Sequence, residues 1–234
     1  ISRHLKREEA RYIIENCDAR VLFYSGCTQA ETDADSLDAR GVLRVCMDGA
    51  DAGAIQYEAW TGRYADDVAL PESPEGTDFL YSSGTTGLPK GIKRPLSVAN
   101  RYFRVGDSPS SAWKAFDRDT VYLSTAPFYH AAPVRWNMAA LRAGGGCVMM
   151  EKFDAAAALE AIAAFGVTHS QWVPTMFIRL LRLPQQERAR HDLSTLRYAV
   201  HAAAPCPVDV KEAMIAWWGP ILYEYYSGTE LVGR

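Results

Sequence analysis

Residues 81–91 read YSSGTTGLPKG, a run of small hydroxyl residues, three glycines and one lysine. Gly84, Gly87 and Gly91 permit backbone angles that other residues resist. Successive backbone N–H groups in such a loop can converge on an anion. Ser82, Ser83, Thr85 and Thr86 add hydroxyl donors, and Lys90 adds a positive charge, so the set suits a polyphosphate. A polar hairpin loop with solvated hydroxyls has the same composition. A Walker A loop does not: five residues after Gly84 stands Pro89, Lys90 is followed by Gly91, and a strand rather than a helix follows. The loop therefore hangs between two strands and closes over phosphates from outside, as a lid does.

A second stretch with chemistry lies near the far end, YEYYSGTE at residues 223–230. A tyrosine face can stack on a purine, a threonine hydroxyl can reach a phosphate, and a carboxylate can help hold Mg²⁺, which keeps many phosphate or water oxygens. Taken alone, it also reads as a strand end with buried tyrosines and a capping Thr-Glu pair. A third stretch, HAAAP at residues 201–205, sits between a strand and a helix, the usual ligand edge of a parallel sheet. Its small residues let backbone approach a flat ring; a plain strand-to-helix loop beside a packed His201 is the other reading.

The elements that must position these stretches alternate. Residues 8–17 are patterned as a helix, followed by a short buried strand at 21–24 and a weaker one at 43–47. Residues 48–77, with Pro71 and Pro74, read as irregular connection. Strands are expected at 79–81 and 92–94, and Ser97 can cap a helix running to about Gly106. Further strands are expected at 121–123, 147–150, 169–173, 197–200 and 221–225. Helices are expected at 133–142, at 154–165 with Asp154 as cap and Gly166 as stop, at 174–183 and at 208–218. This order predicts an α/β fold of layered, mostly parallel sheets flanked by helices.

YSSGTTGLPKG resembles the phosphate loop of the adenylate-forming (AMP-binding) enzymes: acyl-CoA synthetases, peptide-synthetase adenylation domains and luciferases. Tyr226, Ser227, Gly228, Thr229 and Glu230 resemble that family's Y-G-x-T-E stretch, with serine where glycine is usual. Ala202, Ala203, Ala204 and Pro205 resemble its G-A-A-P turn along the adenine. The segment Pro127-Phe128-Tyr129-His130 resembles its P-x-F-H segment. The resemblance implies an ATP site of Ser82, Ser83, Gly84, Thr85, Thr86, Gly87, Lys90, the 202–205 turn, and Glu224, Tyr225 and residues 226–229. It implies acyl contacts from His130, Val134, Trp136, Trp172, Val173 and His201, although a core role is the simpler reading of each apolar one. Lys90, His130, Thr229 and Glu230 carry the implied catalytic roles, and Ser82 and Glu230 the implied metal contacts.

The implied reaction joins a carboxylic acid to AMP and passes the acyl group to CoA, with ATP and Mg²⁺. GIKRPL and VHAAAPCP are similar to bacterial fatty-acyl or related carboxylate CoA ligases. Alternatives are an adenylation domain or acyl-AMP ligase loading a carrier protein, and a nucleotide-binding remnant without chemistry. Because family members extend on both sides of the matched region, the expectation is an internal piece of the large N-terminal domain. That piece comprises a helix–strand unit with irregular connection at 1–77 and an ATP- and acyl-binding core at 78–234. It lacks the ribose-gripping aspartate and the C-terminal domain with its late lysine, and is inactive alone.

Composition excludes several other classes. The 234 residues are 48% hydrophobic and 23% charged, ample for a core. A net charge of −3 with scattered basic residues gives no nucleic-acid signature. No apolar run reaches the roughly 20 residues of a membrane helix. Five cysteines without paired spacing predict neither a disulfide framework nor a zinc site, and fit a reduced cytoplasmic protein.

Overall fold

A computed structural model describes residues 1–2, 4–26, 41–49, 51, 53–64, 76–82, 87–93 and 116–229. The chain divides into two compact units, Ile1–Arg101 and Tyr102–Arg234.

In the first unit, Ala10, Ile13 and Ile14 fall on one face of α1 (Arg7–Asn16) and are buried. The reach of the Glu9 carboxylate back to the Lys6 backbone N–H, 2.8 Å, secures the start of that helix. Strands β1 (Val21–Tyr24), β2 (Leu43–Cys46) and β3 (Ile55–Gln56) form a parallel sheet in that order. The expectation of a buried β1 is corrected: Phe23 is 51% exposed and Val21 40% exposed. Nor is the stretch 48–77 wholly irregular, since it holds β3 and α2 (Tyr57–Thr61). That helix is too short to display a periodic apolar stripe in sequence. Tertiary contact explains it instead, because Tyr57 and Trp60 lie 6.3 and 6.5 Å from the Phe23 ring.

The glycine-rich stretch joins β4 (Phe79–Ser82) to β5 (Lys90–Lys93), an antiparallel pair with Ser82 opposite Lys90. The helix expected from Ser97 to Gly106 lies outside the described residues.

The second unit is built on a five-stranded parallel sheet. Its strands are β6 (Val121–Ser124), β7 (Gly146–Met149), β8 (His169–Trp172), β9 (Tyr198–His201) and β10 (Leu222–Glu224), in the order β10-β9-β8-β6-β7. Between them run α3 (Ala131–Arg142), α4 (Ala155–Phe165), α5 (Pro174–Leu181), α6 (Gln185–Ala189) and α7 (Val208–Trp218). The helix expected at 174–183 is α5, which ends at Leu181, and beyond Pro184 the short α6 follows as an additional helix. Asp154 caps α4 by accepting from Ala157 N at 2.9 Å, and Gly166 closes it in the left-handed conformation.

Strand period sorts the core into two layers. Leu123, Trp172 and Ala199 join Leu159, Ile162, Phe177 and Met214 on one side. Their chain neighbours Tyr122 and Val200 join Trp136 and Ala140 of α3 in a separate cluster. The sheet is thus covered on both faces, which is why the polar strand His169-Ser170-Gln171-Trp172 is fully buried. Its polar groups are bonded to neighbours: Trp172 Nε1 donates to Ser170 Oγ at 2.7 Å, and the Thr168 hydroxyl and His169 Nδ1 share a bond of 2.8 Å. No helix among the described residues is long and apolar enough to cross a membrane.

Candidate active site

Chain order reverses between β6 and β8. From β6 the chain steps out to β7, returns across β6 to β8, and continues the other way through β9 and β10. Such a reversal opens a crevice at the carboxyl ends of the two neighbouring strands. Beyond β6 comes the segment ending at His130, and beyond β8 comes Val173. Beyond β9 and β10 come the Ala202–Pro205 turn and the 225–229 stretch, so four separately read segments share one edge of one sheet.

His130 is the exposed N-cap residue of α3, its ring 4.5 Å from that of Tyr129. Partial desolvation lowers its pKa, which favours a neutral imidazole able to donate or accept one hydrogen bond. Val134 and Val173 are half-buried. Trp136 is 4% exposed, stacked at 6.3 Å on Tyr122.

Trp172 is core, not pocket wall. It is 1% exposed and packs against Phe153, Phe177 and Trp218. Only its carbonyl reaches the site edge, accepting from Ala202 N at 3.3 Å. His201 is also fully enclosed, its ring centroid 5.4 Å from that of Phe177 in a T-shaped pair and the Glu224 carboxylate 4.0 Å away. Desolvation lowers the His201 pKa, and nearby Lys211 adds to this, against the pull of Glu224. Glu224 itself is held ionised by a 2.6 Å bond from Lys211 of α7.

The turn after β9 contains a non-glycine residue at positive φ, Ala203 at 76°. The left-handed region costs an L-residue roughly 1–2 kcal/mol. The position where the resemblance expects glycine, Ala202, is instead buried and hydrogen-bonded, while Ala203, Ala204 and Pro205 are exposed.

Gln171 and Arg135, which no motif singled out, join Trp136 in holding the 225–229 stretch. Gln171 of β8 donates through Nε2 to the Tyr225 hydroxyl oxygen at 2.8 Å, and Trp136 Nε1 donates to the same oxygen at 3.3 Å. Arg135 of α3 donates to the Thr229 carbonyl at 3.1 Å. The clue in the sequence is an arginine in the middle of α3, between Val134 and Trp136, and a glutamine inside a strand. Tyr226 is 87% exposed, leaving its ring face open, and the Ser227 hydroxyl bonds the Gly228 carbonyl at 3.2 Å. Glu230 lies outside the described residues.

In the first unit, Ser82 ends β4 and is half-buried, and exposed Lys90 begins β5 opposite it. Ser83, Gly84, Thr85 and Thr86 lie outside the described residues. Gly87 has a φ of 101°, the conformation for which glycine suits the turn. Gly91 has a different reason. It is a strand residue, and a Cβ there would stand 2.8 Å from the Phe79 ring and 3.0 Å from the Tyr81 ring. Those two rings stack at 5.4 Å across the position. Among the described residues no group of three His, Cys, Asp or Glu is poised for a metal.

The family profile described as AMP-binding enzyme matches residues 1–233. The chain belongs to the AMP-binding enzyme family. A 4-coumarate–CoA ligase 1 of Oryza sativa subsp. japonica is 34% identical over 231 residues, 89% of this chain and 40% of that protein. A crotonobetaine/carnitine–CoA ligase of Citrobacter koseri is 28% identical over 99% of this chain and 45% of its own length. The anthranilate CoA ligase AuaEII, solved with anthranoyl-AMP, shares the fold with a TM-score of 0.79 at 23% identity, covering 98% of this chain and 45% of that one. The chain thus spans less than half the length of these AMP-binding relatives.

Proposed function

We propose that the protein containing this chain activates a carboxylic acid with ATP as an acyl-adenylate and transfers the acyl group to the CoA thiol. The observation that carries this reading is the reversal between β6 and β8, with the His130, Val173, Ala202–Pro205 and 225–229 segments along that one edge. In this assignment the 82–90 loop holds phosphates, with Lys90 offsetting their charge. The 202–205 turn and Tyr226 take the adenine, the Thr229 hydroxyl takes the α-phosphate, and His130 orients the acid. Val134 lines the acyl side, with Trp136 behind it. Ser82 and Glu230 are the residues that would hold Mg²⁺, which supplies charge neutralisation on the phosphates.

No covalent enzyme intermediate is needed. The acid carboxylate attacks the α-phosphorus and pyrophosphate leaves; the CoA sulfur then attacks the acyl carbon and AMP leaves. Rate comes from in-line positioning and from fixed donors facing the developing charge. Our reading of the acid is fatty-acyl, resting on the GIKRPL and VHAAAPCP resemblance. The relatives named for 4-coumarate and crotonobetaine/carnitine put those acids in the same test.

The experiment is a panel on the full-length gene product, with fatty acids, 4-coumarate and crotonobetaine. Pyrophosphate exchange reads the first half and AMP release with and without CoA reads the second. Exchange with CoA-dependent AMP release is the expected result. Exchange without response to CoA points to a carrier-protein acceptor, and no exchange with any acid overturns the enzyme reading.

A further inference from the structure

A cavity of about 360 Å³ opens at the other end of the same sheet, walled by α6, by the segment leading into β9, and by the end of α7 and start of β10. It belongs to the amino-terminal edge of β9 and β10, whereas the candidate active site lies beyond their carboxyl ends. Arg188 lines it, with its guanidinium carbon 5.3 Å from the Trp217 ring centroid. Stacking over an indole leaves the in-plane N–H donors of a guanidinium available. Among the described residues Arg188 makes no ion pair, and its Nε is buried without a hydrogen-bond partner. Trp218, also in the wall, has a buried Nε1–H that likewise lacks a partner. Leaving a buried donor unmade costs about 1–3 kcal/mol, more when it is charged, so two such donors beside one cavity call for an acceptor.

The neighbouring acids do not provide it. Glu187 is turned to His191 at 3.6 Å and Arg190 at 3.8 Å. Asp192 accepts from the Ser194 backbone N–H at 2.9 Å, which helps keep its carboxyl ionised. The rest of the wall includes Leu193, Leu196 and Ile221, which suit an apolar body. A rim carboxylate disfavours a multiply charged ligand such as phosphate, since like charges repel at this range.

We propose that this cavity is a second ligand site, for an organic monocarboxylate, whose carboxylate meets Arg188 and the Trp218 indole N–H while its apolar body lies against Leu193, Leu196 and Ile221. The site is separate from the edge assigned to ATP and the substrate acid, and it stands whether or not that assignment does.

The test is an NMR titration of the full chain with sodium benzoate, following the assigned indole N–H resonances, with inorganic phosphate as the comparison. The Trp218 resonance should move saturably with benzoate and not with phosphate. Arg188→Gln should weaken that binding by about ten-fold or more, the scale of a lost charge-assisted hydrogen bond. Asp192→Asn, an exposed change, should strengthen it and serves if Arg188→Gln fails to fold. Benzoate in the active-site crevice would shift other resonances, and those shifts would survive Arg188→Gln. The proposal is overturned if the Trp218 resonance does not move, as with a water-filled cavity, if phosphate moves it equally, or if both variants bind as the parent does.

Discussion

Gln171 on the central strand donates to the Tyr225 hydroxyl oxygen at 2.8 Å, and this bond ties the middle of the sheet to the residue just before the 226–229 stretch. Trp136 of α3 donates to the same oxygen, so one phenol collects a strand and a helix. Burial raises the Tyr225 pKa, and the phenol stays protonated across the ordinary pH range.

Replacing Tyr225 by Phe keeps the ring and removes the acceptor that both donors use. Unfolding in urea should show a loss of about 1–3 kcal/mol, the cost of stranding buried donors. An unchanged midpoint and slope would mean that the bonds to Tyr225 contribute nothing net.

Lys90 is exposed at the start of β5, with little packing to lose. Lys90→Ala in the full-length protein should therefore leave the melting temperature within a degree or so of the parent while reducing pyrophosphate exchange by about 10²-fold, the scale of a deleted charge-stabilising group. Parent-like exchange would remove Lys90 from the proposed phosphate site.

At Gly91 the constraint is steric. Gly91→Val would drive a branched side chain into the stacked Phe79 and Tyr81 rings, a misfit of about 1–3 kcal/mol. The hairpin that presents the 83–89 loop should then shift, and ATP should raise the melting temperature less than in the parent. An equal ATP-induced rise in variant and parent would show that the hairpin tolerates the clash.

His201 gives a pH dependence with a definite sign. Its folded pKa lies below the ordinary imidazole value of about 6.5 because burial disfavours the cation. Between the two values the unfolded chain binds more protons, so stability is complete above about pH 6.5 and falls as pH drops toward the folded value. His130 is shifted the same way. Denaturation curves from pH 7.5 to 5 in a His130→Ala background should lose part of their slope on adding His201→Phe. An identical slope with and without His201 would remove it as the titrating group.

Much of this molecule was legible in the order of residues. Asp154 and Gly166 bound α4 as local chemistry requires, because capping and left-handed backbone are decided within a few residues. The hairpin around the glycine-rich loop and the alternation that makes a parallel sheet were equally local signals. Elsewhere locality failed. Five-residue α2 has too few positions for a period, and it packs against Phe23 from a distant part of the chain. The resemblance implies an acyl contact for Trp172, yet strand alternation turns its side chain into the core.

By itself the sequence determined the family, through the phosphate loop and the residues 226–230, because motifs of backbone-directed chemistry depend on local order. It also determined which segments end at strand termini. Only the tertiary structure decided that β6 and β8 are neighbours and that four segments therefore share one edge. It alone placed Arg135 on the Thr229 carbonyl, 94 positions along the chain, and Gln171 on Tyr225. Those pairings arise from strand order and from which face each side chain takes, and neither is encoded within the few residues that a motif spans.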